Sequence, residues 1–567
     1  ASGEHPEWAN LDRYPYVNTV FGDARYTLHL LSANAGYQLA GGTELYGFGT
    51  YGRKEAAGWA NFRLPTKLPE LYPNGFNPID RLKSDDVSAT AGARGLVGGW
   101  NWDLSTTYGS NANRVEVTQS ANVDLYYDSG STPADFYNGS FRATEWTSNL
   151  DFSKSLGPVA ALALGAEFRR DTYALTAGDE ASRYKAGSQS FPGFSLTDAG
   201  SHSRQNLAGY ADLNLTPANG LSVDVAGRFE HYSDFGDTVV GKLSARQQLS
   251  PTIALRGTAS SGFRAPTLAE SYYSATNVQP NSAYVQLPPN AAAARIIGID
   301  PLKPEHSRNF SAGLVFKPAP DISLTLDAYQ ITVRDRVVGS GTLYGTYAGV
   351  VRSDAVNQAI VANGNVLENV PFSGINVFTN GLDTRTRGID AALNFSTSVG
   401  TGKIEWSLLA NYSETKVTHI RATPAQIAAS GQGLFDAVAI STLETASPRF
   451  KAILSGLYRQ GRWTIGAKER FYGNAWNYQD PGDGTFYVDE TGSAFITDLD
   501  VAYRLTGGIS LALGANNLFD KRPNMVSAQG LAVQGAAGSP AVEIYPKFTA
   551  WGINGGYYYA QLRLNFR

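Results

Sequence analysis

The chain has 567 residues, no Cys, one Met, 60 Gly, 31 Tyr, 26 Phe and 9 Trp, and its 46 basic and 50 acidic side chains give a formal net charge of −4. Without cysteine there is no disulfide framework and no Cys-based zinc site, and a net-negative chain without a Lys/Arg run lacks the footprint of a nucleic-acid binder. At 43% hydrophobic and 12% aromatic residues it is not composed like a disordered chain, no stretch reaches the ~18 uncharged apolar residues of a membrane-spanning helix, and Ala1-Ser2-Gly3-Glu4-His5-Pro6 is not a signal peptide.

In chain order, apolar residues recur at every second position and predict about nineteen strands. They fall near 25–39, 43–60, 86–98, 100–119, 141–156, 158–175, 203–216, 221–235, 238–249, 252–263, 306–317, 321–336, 373–397, 403–418, 448–459, 462–476, 493–505, 508–521 and 551–567. Leu221, Val223, Val225 and Phe229 alternate with Asp224, Arg228 and Glu230. Ile404, Trp406 and Leu408 alternate with Glu405 and Ser407, and Phe495, Leu499 and Val501 with Asp498, Asp500 and Arg504. Helical periodicity is scarce; Ala425–Ala429 reads as one short turn. Charges of both signs on one face, with Leu, Val, Ala and Gly on the other and aromatic residues near strand ends, give the pattern of a membrane barrel with lipid outside and a polar lumen. The other reading is a soluble all-β protein, its apolar face packed on a second sheet.

The joints between strands alternate in length. Gly41-Gly42, Gly99, Gly157, Ser250-Pro251 and Gln460-Gly461 are short; 61–85, 120–140, 176–202, 264–305, 337–372, 419–447, 477–492 and 522–550 are long. Tight turns on one rim and long loops on the other are the mark of an outer-membrane barrel. The joint at Gly236-Asp237 is short where a long one is due. Bacterial single-chain barrels have even strand numbers, so an odd count places the first strand running inward from the long-loop side. That leads to the expectation that an odd number of strands precedes this chain.

Four segments then carry a resemblance. They are Ser261-Gly262-Phe263-Arg264-Ala265-Pro266-Thr267-Leu268, Asp300-Pro301-Leu302-Lys303-Pro304-Glu305, Gly514-Ala515-Asn516-Asn517-Leu518-Phe519-Asp520-Lys521, and His231-Tyr232-Ser233-Asp234-Phe235-Gly236 followed by Gly241-Lys242. In this order the chain resembles, over essentially its whole length, the β-barrel of TonB-dependent outer-membrane transporters. The resemblance implies about 22 strands around a plugged lumen, with residues 1–567 as the C-terminal barrel portion. Three strands and a plug domain would then lie upstream or on another chain. It also implies TonB-driven import of a scarce nutrient, most commonly a ferric siderophore, with an oligosaccharide, a peptide or a passive porin as alternatives. The implied partners are outer-membrane lipid, the plug, the inner-membrane TonB complex and the nutrient, with no cofactor and no catalysis. One departure is the end: Phe566 is followed by Arg567, where such barrels commonly finish on an aromatic residue.

Motifs of other chemistries fail on context. Gly47-Phe48-Gly49-Thr50-Tyr51-Gly52 matches a dinucleotide fingerprint but lies inside an alternating strand with no helix after it. Gly236–Lys242 imitates a phosphate loop but continues into Leu243, without the Ser or Thr that holds magnesium. No His lies between 264 and 305, which argues against a haem receptor. Asp480, Asp483, Asp489 and Glu490 share one outer loop and could offer oxygen ligands to calcium, although a solvated acidic loop is the commoner meaning. Nutrient pockets use aromatic walls with a few polar anchors. The candidate substrate-binding residues are therefore the loop residues Tyr272, Tyr273, Tyr284, Tyr344, Tyr347, Arg352, Trp476 and Tyr478, with Tyr545 beside them. The inward charges Asp224, Arg228, Glu230, Arg256, Glu405 and Arg504 are expected to hold a plug or water.

Overall fold

A computed structural model describes residues 22–217, 219–279, 282–365, 367, 371–480, 486–536 and 544–565. Nineteen long strands form one wall: β1 (Arg25–Gln38), β2 (Glu44–Trp59), β3 (Ile79–Val97), β4 (Trp100–Thr118), β5 (Phe136–Ser155), β6 (Ala160–Thr176), β7 (Gly200–Leu215), β8 (Leu221–Tyr232), β9 (Gly236–Ser250), β10 (Ile253–Arg264), β11 (Glu305–Ala319), β12 (Ile322–Gly339), β13 (Phe372–Val399), β14 (Gly402–Ile420), β15 (Phe450–Gln460), β16 (Trp463–Tyr472), β17 (Ala494–Arg504), β18 (Ile509–Asn516) and β19 (Tyr557–Leu564). Each pairs antiparallel with the next, an up-and-down meander. Strand number and order agree with the sequence pattern. Among the described residues, β1 and β19 each have one ladder neighbour. The segments beside them meet at the long-loop rim, where the Asp23 amide donates to Asn554 Oδ1 (3.2 Å) and Asn554 Nδ2 donates to the Asp23 carboxylate (2.5 Å). No described helix is long and apolar enough to cross a membrane.

Register sorts the side chains. On β8, Val225 and Phe229 are 45% and 47% exposed on the outside, whereas Glu230 on the inside is 7% exposed. The inward charges pair across strands. Arg228 reaches Glu230 (2.7 Å) and Glu167 (3.2 Å), Lys242 reaches Asp224 (2.6 Å), Arg256 reaches Asp327 (2.5 Å), and Arg459 reaches Glu405 (2.6 Å). Arg504 donates to the Gly461 carbonyl (3.0 Å) at the short-turn rim. Aromatic rows mark both ends of the outward face. Phe450, Phe471 and Phe495 follow one another at 5.8 and 4.8 Å on the loop side, and Trp463–Tyr503 (4.6 Å) and Phe395–Trp406 (6.1 Å) lie on the turn side. Such girdles belong at membrane interfaces.

The turn rim is tight: Gly98 and Gly99, at φ 58° and 79°, join β3 to β4 in a two-residue reversal open to glycine. Gly47, Gly49 and Gly52 lie within β2, where a Cβ on Gly49 would stand 3.1 Å from the Ser88 carbonyl oxygen. The dinucleotide-like spacing is thus close packing between strands.

Several sequence expectations need correction, among them the last two strands, which are Ile509–Asn516 rather than 508–521 and Tyr557–Leu564 rather than 551–567. β3 begins at Ile79 rather than 86 and β5 at Phe136 rather than 141, because polar and charged positions continue the ladders above the apolar band. The strand expected over 462–476 stops at Tyr472, and Trp476–Gln479 pairs instead with Tyr487–Glu490 in a separate hairpin. The long joints also carry structure of their own, including helices Val123–Ser129, Asp354–Ala362 and Ala437–Glu444 beside the expected turn at Ala425–Ala428. Residues 1–21, Asp483 and the terminal Phe566-Arg567 pair lie outside the described residues.

The outward and inward faces should answer differently to charge. Leu243→Arg, outward on β9, should destabilise the wall by about 2–4 kcal/mol in urea titrations of vesicle-embedded protein. Ser244→Arg, on the lumen face beside Thr258 (3.0 Å), should change stability far less. Equal losses would contradict the assignment of faces.

Candidate functional site

The Phe263–Pro266 segment closes β10 and turns into loop 265–304. Arg264 grips Glu270 (2.9 Å) and Glu305 (2.7 Å), so the two motif segments at either end of that loop are clamped together. Glu305 also accepts the Val337 amide (2.7 Å). Thr267 and Glu270 form a reciprocal capping box on helix Leu268–Tyr272. Behind the clamp, Arg204 donates to the Pro266 carbonyl (2.5 Å) and Asp171 (2.9 Å), and Arg169 to the Tyr232 hydroxyl (2.7 Å). Arg264, Arg204, Asp171, Arg169 and Tyr232, with Asp86, Glu145 and Tyr273, line a lumen cavity of about 1010 Å³.

Above the wall the long loops pack into two caps held by different forces. Over β2–β7, loops 60–78, 119–135 and 177–199 interlock through buried polar groups. Arg63, 2% exposed, donates to Gln189 Oε1 (2.9 Å) and the Asn61 carbonyl (2.7 Å). Ser120 donates to the Gln189 carbonyl (2.9 Å), and Asn122 Nδ2 to the Ala181 and Tyr184 carbonyls (each 2.8 Å). Burial pushes the Arg63 guanidinium down to about 10, opposed by nearby Asp80. Over β10–β14, loops 265–304, 340–371 and 421–449 share an apolar core that includes Val285, Leu287, Ile297, Leu343, Ile360 and Ile375. Here Ser282–Leu287 runs parallel to the start of β13, and Leu343–Tyr347 runs antiparallel to it.

The candidate residues fall into three groups. Tyr284, Tyr344, Tyr347 and Arg352 come together on the apolar cap. Tyr284–Tyr344 (6.3 Å), Tyr344–Tyr347 (5.2 Å) and Tyr347–Phe372 (5.1 Å) are edge-to-face, and the Arg352 guanidinium stands 5.5 Å from the Tyr347 ring centre. Gln432 fixes Tyr344 by bonding its amide (2.7 Å) and carbonyl (2.9 Å). Burial, followed by the neighbouring Tyr284, Asp480 and Tyr347, pushes the Tyr344 hydroxyl far above its ordinary range, so it stays a proton donor. Tyr344, Asn376, Phe435, Asp436 and Asp480 line a second cavity of about 640 Å³.

Trp476 and Tyr478 form a second group, 5.5 Å apart on the separate hairpin, with Phe486 6.1 Å from Tyr478. Tyr272 and Tyr273 form the third. Tyr272 stacks flat on His202 (3.6 Å, 4°), whereas Tyr273 packs against Phe194 (6.0 Å) in an apolar seam between the caps. Tyr545 lies apart, beside Gly22 and Asp23 around a cavity of about 330 Å³. The acidic loop serves structure: Asp489 is buried and accepts the Ser527 amide (2.9 Å), and Glu490 accepts from Asn474 (3.2 Å). Among the described residues no group of three acidic or histidine side chains is placed to hold a metal. Sequence reasoning missed Arg63, Arg169, Arg204 and Gln189; nothing local distinguishes them, since their partners lie on distant strands and loops.

The clamp should loosen in acid. Burial alone would raise the Glu270 carboxyl, but the Arg264 guanidinium and the Thr267 amide outweigh it and hold it below the ordinary glutamate range. The unfolded loop therefore takes up that proton first as pH falls. The contribution of the clamp is complete above about pH 4.3 and is lost as pH drops through the lower folded value. Amide exchange over 265–273, corrected for intrinsic rate, should accelerate below about pH 4 and be fast already at neutral pH in Arg264→Gln. Protection insensitive to both would refute the clamp.

Comparison with known proteins bears on this architecture. No curated protein sequence matches the chain. Among solved structures, the ferric enterobactin receptor of Pseudomonas aeruginosa in complex with enterobactin is similar at TM-score 0.64 and 16% identity, covering 98% of this chain and 72% of the other. The siderophore receptor PirA of Acinetobacter baumannii is similar at TM-score 0.62 and 16% identity, over 96% and 71%. The FrpB iron transporter of Neisseria meningitidis is similar at TM-score 0.60 and 11% identity, over 95% and 73%. At such identities the likeness speaks for the fold. The sequence model described as TonB dependent receptor-like, beta-barrel, matches residues 16–518, and with the meander, the girdles and the clamped loop motifs this makes the chain a member of the TonB-dependent receptor β-barrel family.

Proposed function

We propose that the chain carries a scarce nutrient, a ferric siderophore in the first instance, across the bacterial outer membrane, and that its import is driven through the TonB complex. Barrels of this family belong to the outer membrane, and the similar structures are receptors and transporters. The observation that carries the reading is the group Tyr284–Tyr344–Tyr347–Arg352 beside the 640 Å³ cavity at the loop rim. Aromatic edges and faces suit the flat rings of iron-chelating ligands. A stacked guanidinium suits the negative charge that such complexes carry. The half-buried Tyr344 hydroxyl, held neutral, supplies a hydrogen-bond donor.

In this reading the lumen charges Arg169, Arg204, Glu230 and Asp171 face a plug, on this protein or another chain. Pulling by TonB rearranges the plug and opens a path for the cargo. No covalent chemistry is required, since the energy comes from the inner-membrane proton gradient. An oligosaccharide or peptide would use the same aromatic walls. A passive pore fits less well, because nineteen strands already exceed the 16–18 of porins.

The test is ligand binding by the detergent-solubilised protein, followed through intrinsic fluorescence across ferric chelates, oligosaccharides and peptides. A ferric chelate should bind tightest. Tyr344→Ala and Arg352→Ala should each weaken it by roughly 1–3 kcal/mol, whereas Tyr545→Phe should leave it unchanged. Binding indifferent to Tyr344→Ala and Arg352→Ala would remove the apolar cap from the site, and preference for a sugar or peptide would replace the cargo.

A further inference from the structure

The outward face carries a feature that import does not use. On β11–β14, Arg308, Arg334, Arg385, Arg387 and Lys416 all lie on the outward register. Arg308 pairs across with Thr332, Thr332 with Arg385, and Arg385 with Lys416. One step lower, Gln330 pairs with Arg387 and Arg387 with Glu414. Their parity matches Phe310 and Ile389, each 54% exposed, and opposes Asp327, which meets Arg256 in the lumen. At ~3.3 Å per residue and a tilt of ~40°, the outward run from Ile389 to Val399 projects to roughly 25 Å, the height of a barrel's apolar band. The cations therefore sit directly above that band, at headgroup level on the long-loop side.

Their charge is only partly compensated among the described residues. Glu414 is the one acid in the row, and Arg449 (3.1 Å) and Lys416 (3.7 Å) already engage it. Arg387 is braced by Gln330 Oε1 (2.7 Å). Among the described residues no carboxylate lies in ion-pair range of Arg308, Arg334 or Arg385. Three outward cations of β2–β4 behave differently: Lys83 and Arg114 both grip Glu116 (2.8 and 2.7 Å), and Arg53 reaches Asp85 (3.4 Å). Below this cationic row is a groove of about 600 Å³, lined by Phe310, Ala312, Ala328, Ile389 and Tyr412 and bounded by Arg387 and Glu414.

We propose that this patch binds a phosphorylated lipid of the outer leaflet, with the phosphate among Arg308, Arg385, Arg387 and Lys416 and an acyl chain along the groove. Charge complementarity selects an anion, and continuity with the apolar band selects one that carries hydrocarbon. The proposal needs the wall to stand in a membrane and is independent of the cargo.

Native mass spectrometry of the full chain in neutral detergent tests it, with dioleoyl phosphatidic acid, dioleoyl phosphatidylcholine and inorganic phosphate as probes. Phosphatidic acid should be retained over phosphatidylcholine, resist displacement by inorganic phosphate, and leave as salt is raised. The combined variant Arg308→Gln, Arg385→Gln, Arg387→Gln should bind it roughly tenfold or more weakly, whereas Arg114→Gln should bind as wild type. Equal retention of the two lipids, wild-type binding by the triple variant, or displacement by inorganic phosphate would each overturn the proposal. If the triple variant does not fold, the lipid preference and salt response of the wild type still decide. Fluorescence titration of the triple variant with a ferric chelate separates the outcomes, because import-site binding should survive when lipid binding is lost.

Discussion

The structure depends on one constraint: inside a bilayer the backbone finds no water, so its N–H and C=O groups must bond one another. The nineteen-strand meander satisfies this by continuous ladders, from Arg25 paired with Ala57 at one end to Ile509 paired with Leu564 at the other. Once the ladder is fixed, the two-residue period leaves each side chain only two choices. Val225, Phe229 and Leu243 take the outside, and Arg228, Glu230, Lys242 and Asp224 the inside, where they neutralise one another. A slip of one residue would put whole rows of charge into lipid, so the polar lumen and the apolar exterior enforce a single register.

That rigid wall lets the loops be built in different ways. The cap over β2–β7 is a polar knot around Arg63, Gln189 and Asn122. The cap over β10–β14 has an apolar core of its own and borrows the first residues of β13 as a sheet template. Phe194 and Tyr273 touch along the seam between them. Buried polar groups lose most when one partner is removed, whereas an apolar core tolerates repacking. A receptor lineage that changes its ligand would thus find the second cap, with Tyr344 and Tyr347 on it, easier to rebuild than the first.

Much of this was legible in the sequence, and the reason is periodicity. Strands such as β8, β14 and β17 announce themselves because one face meets lipid and the other meets charge, and alternation survives without knowledge of any partner. Where that contrast stops, so does legibility. β3 continues seven residues before the predicted start because its upper part, Asp80 to Asp85, carries polar or charged residues on both faces, so no apolar–polar contrast marks it. The loop strands 282–287 and 343–347 are short and take their partners from β13, far along the chain. At the candidate site, aromatic composition pointed to Tyr284, Tyr344, Tyr347 and Arg352, which the fold brings together, but equally to Tyr272, which stacks on His202 elsewhere. Composition names residue types; only the loop core decides which of them meet. Arg204 and Arg169 were illegible for the same reason, since their partners Pro266 and Tyr232 are set by the pairing register of the strands between them.

The central claim is that outward rows meet lipid and inward rows meet water. Because the chain has no cysteine, a single introduced thiol reports on one position. Along β13, cysteines carrying a nitroxide at Ile389, Ala391 and Leu393 should collide with lipid-soluble oxygen, and those at Asp390, Ala392 and Asn394 with a water-soluble nickel chelate, in vesicle-embedded protein. That alternation is the predicted result; one accessibility shared by both sets, or the reverse pattern, would contradict the account.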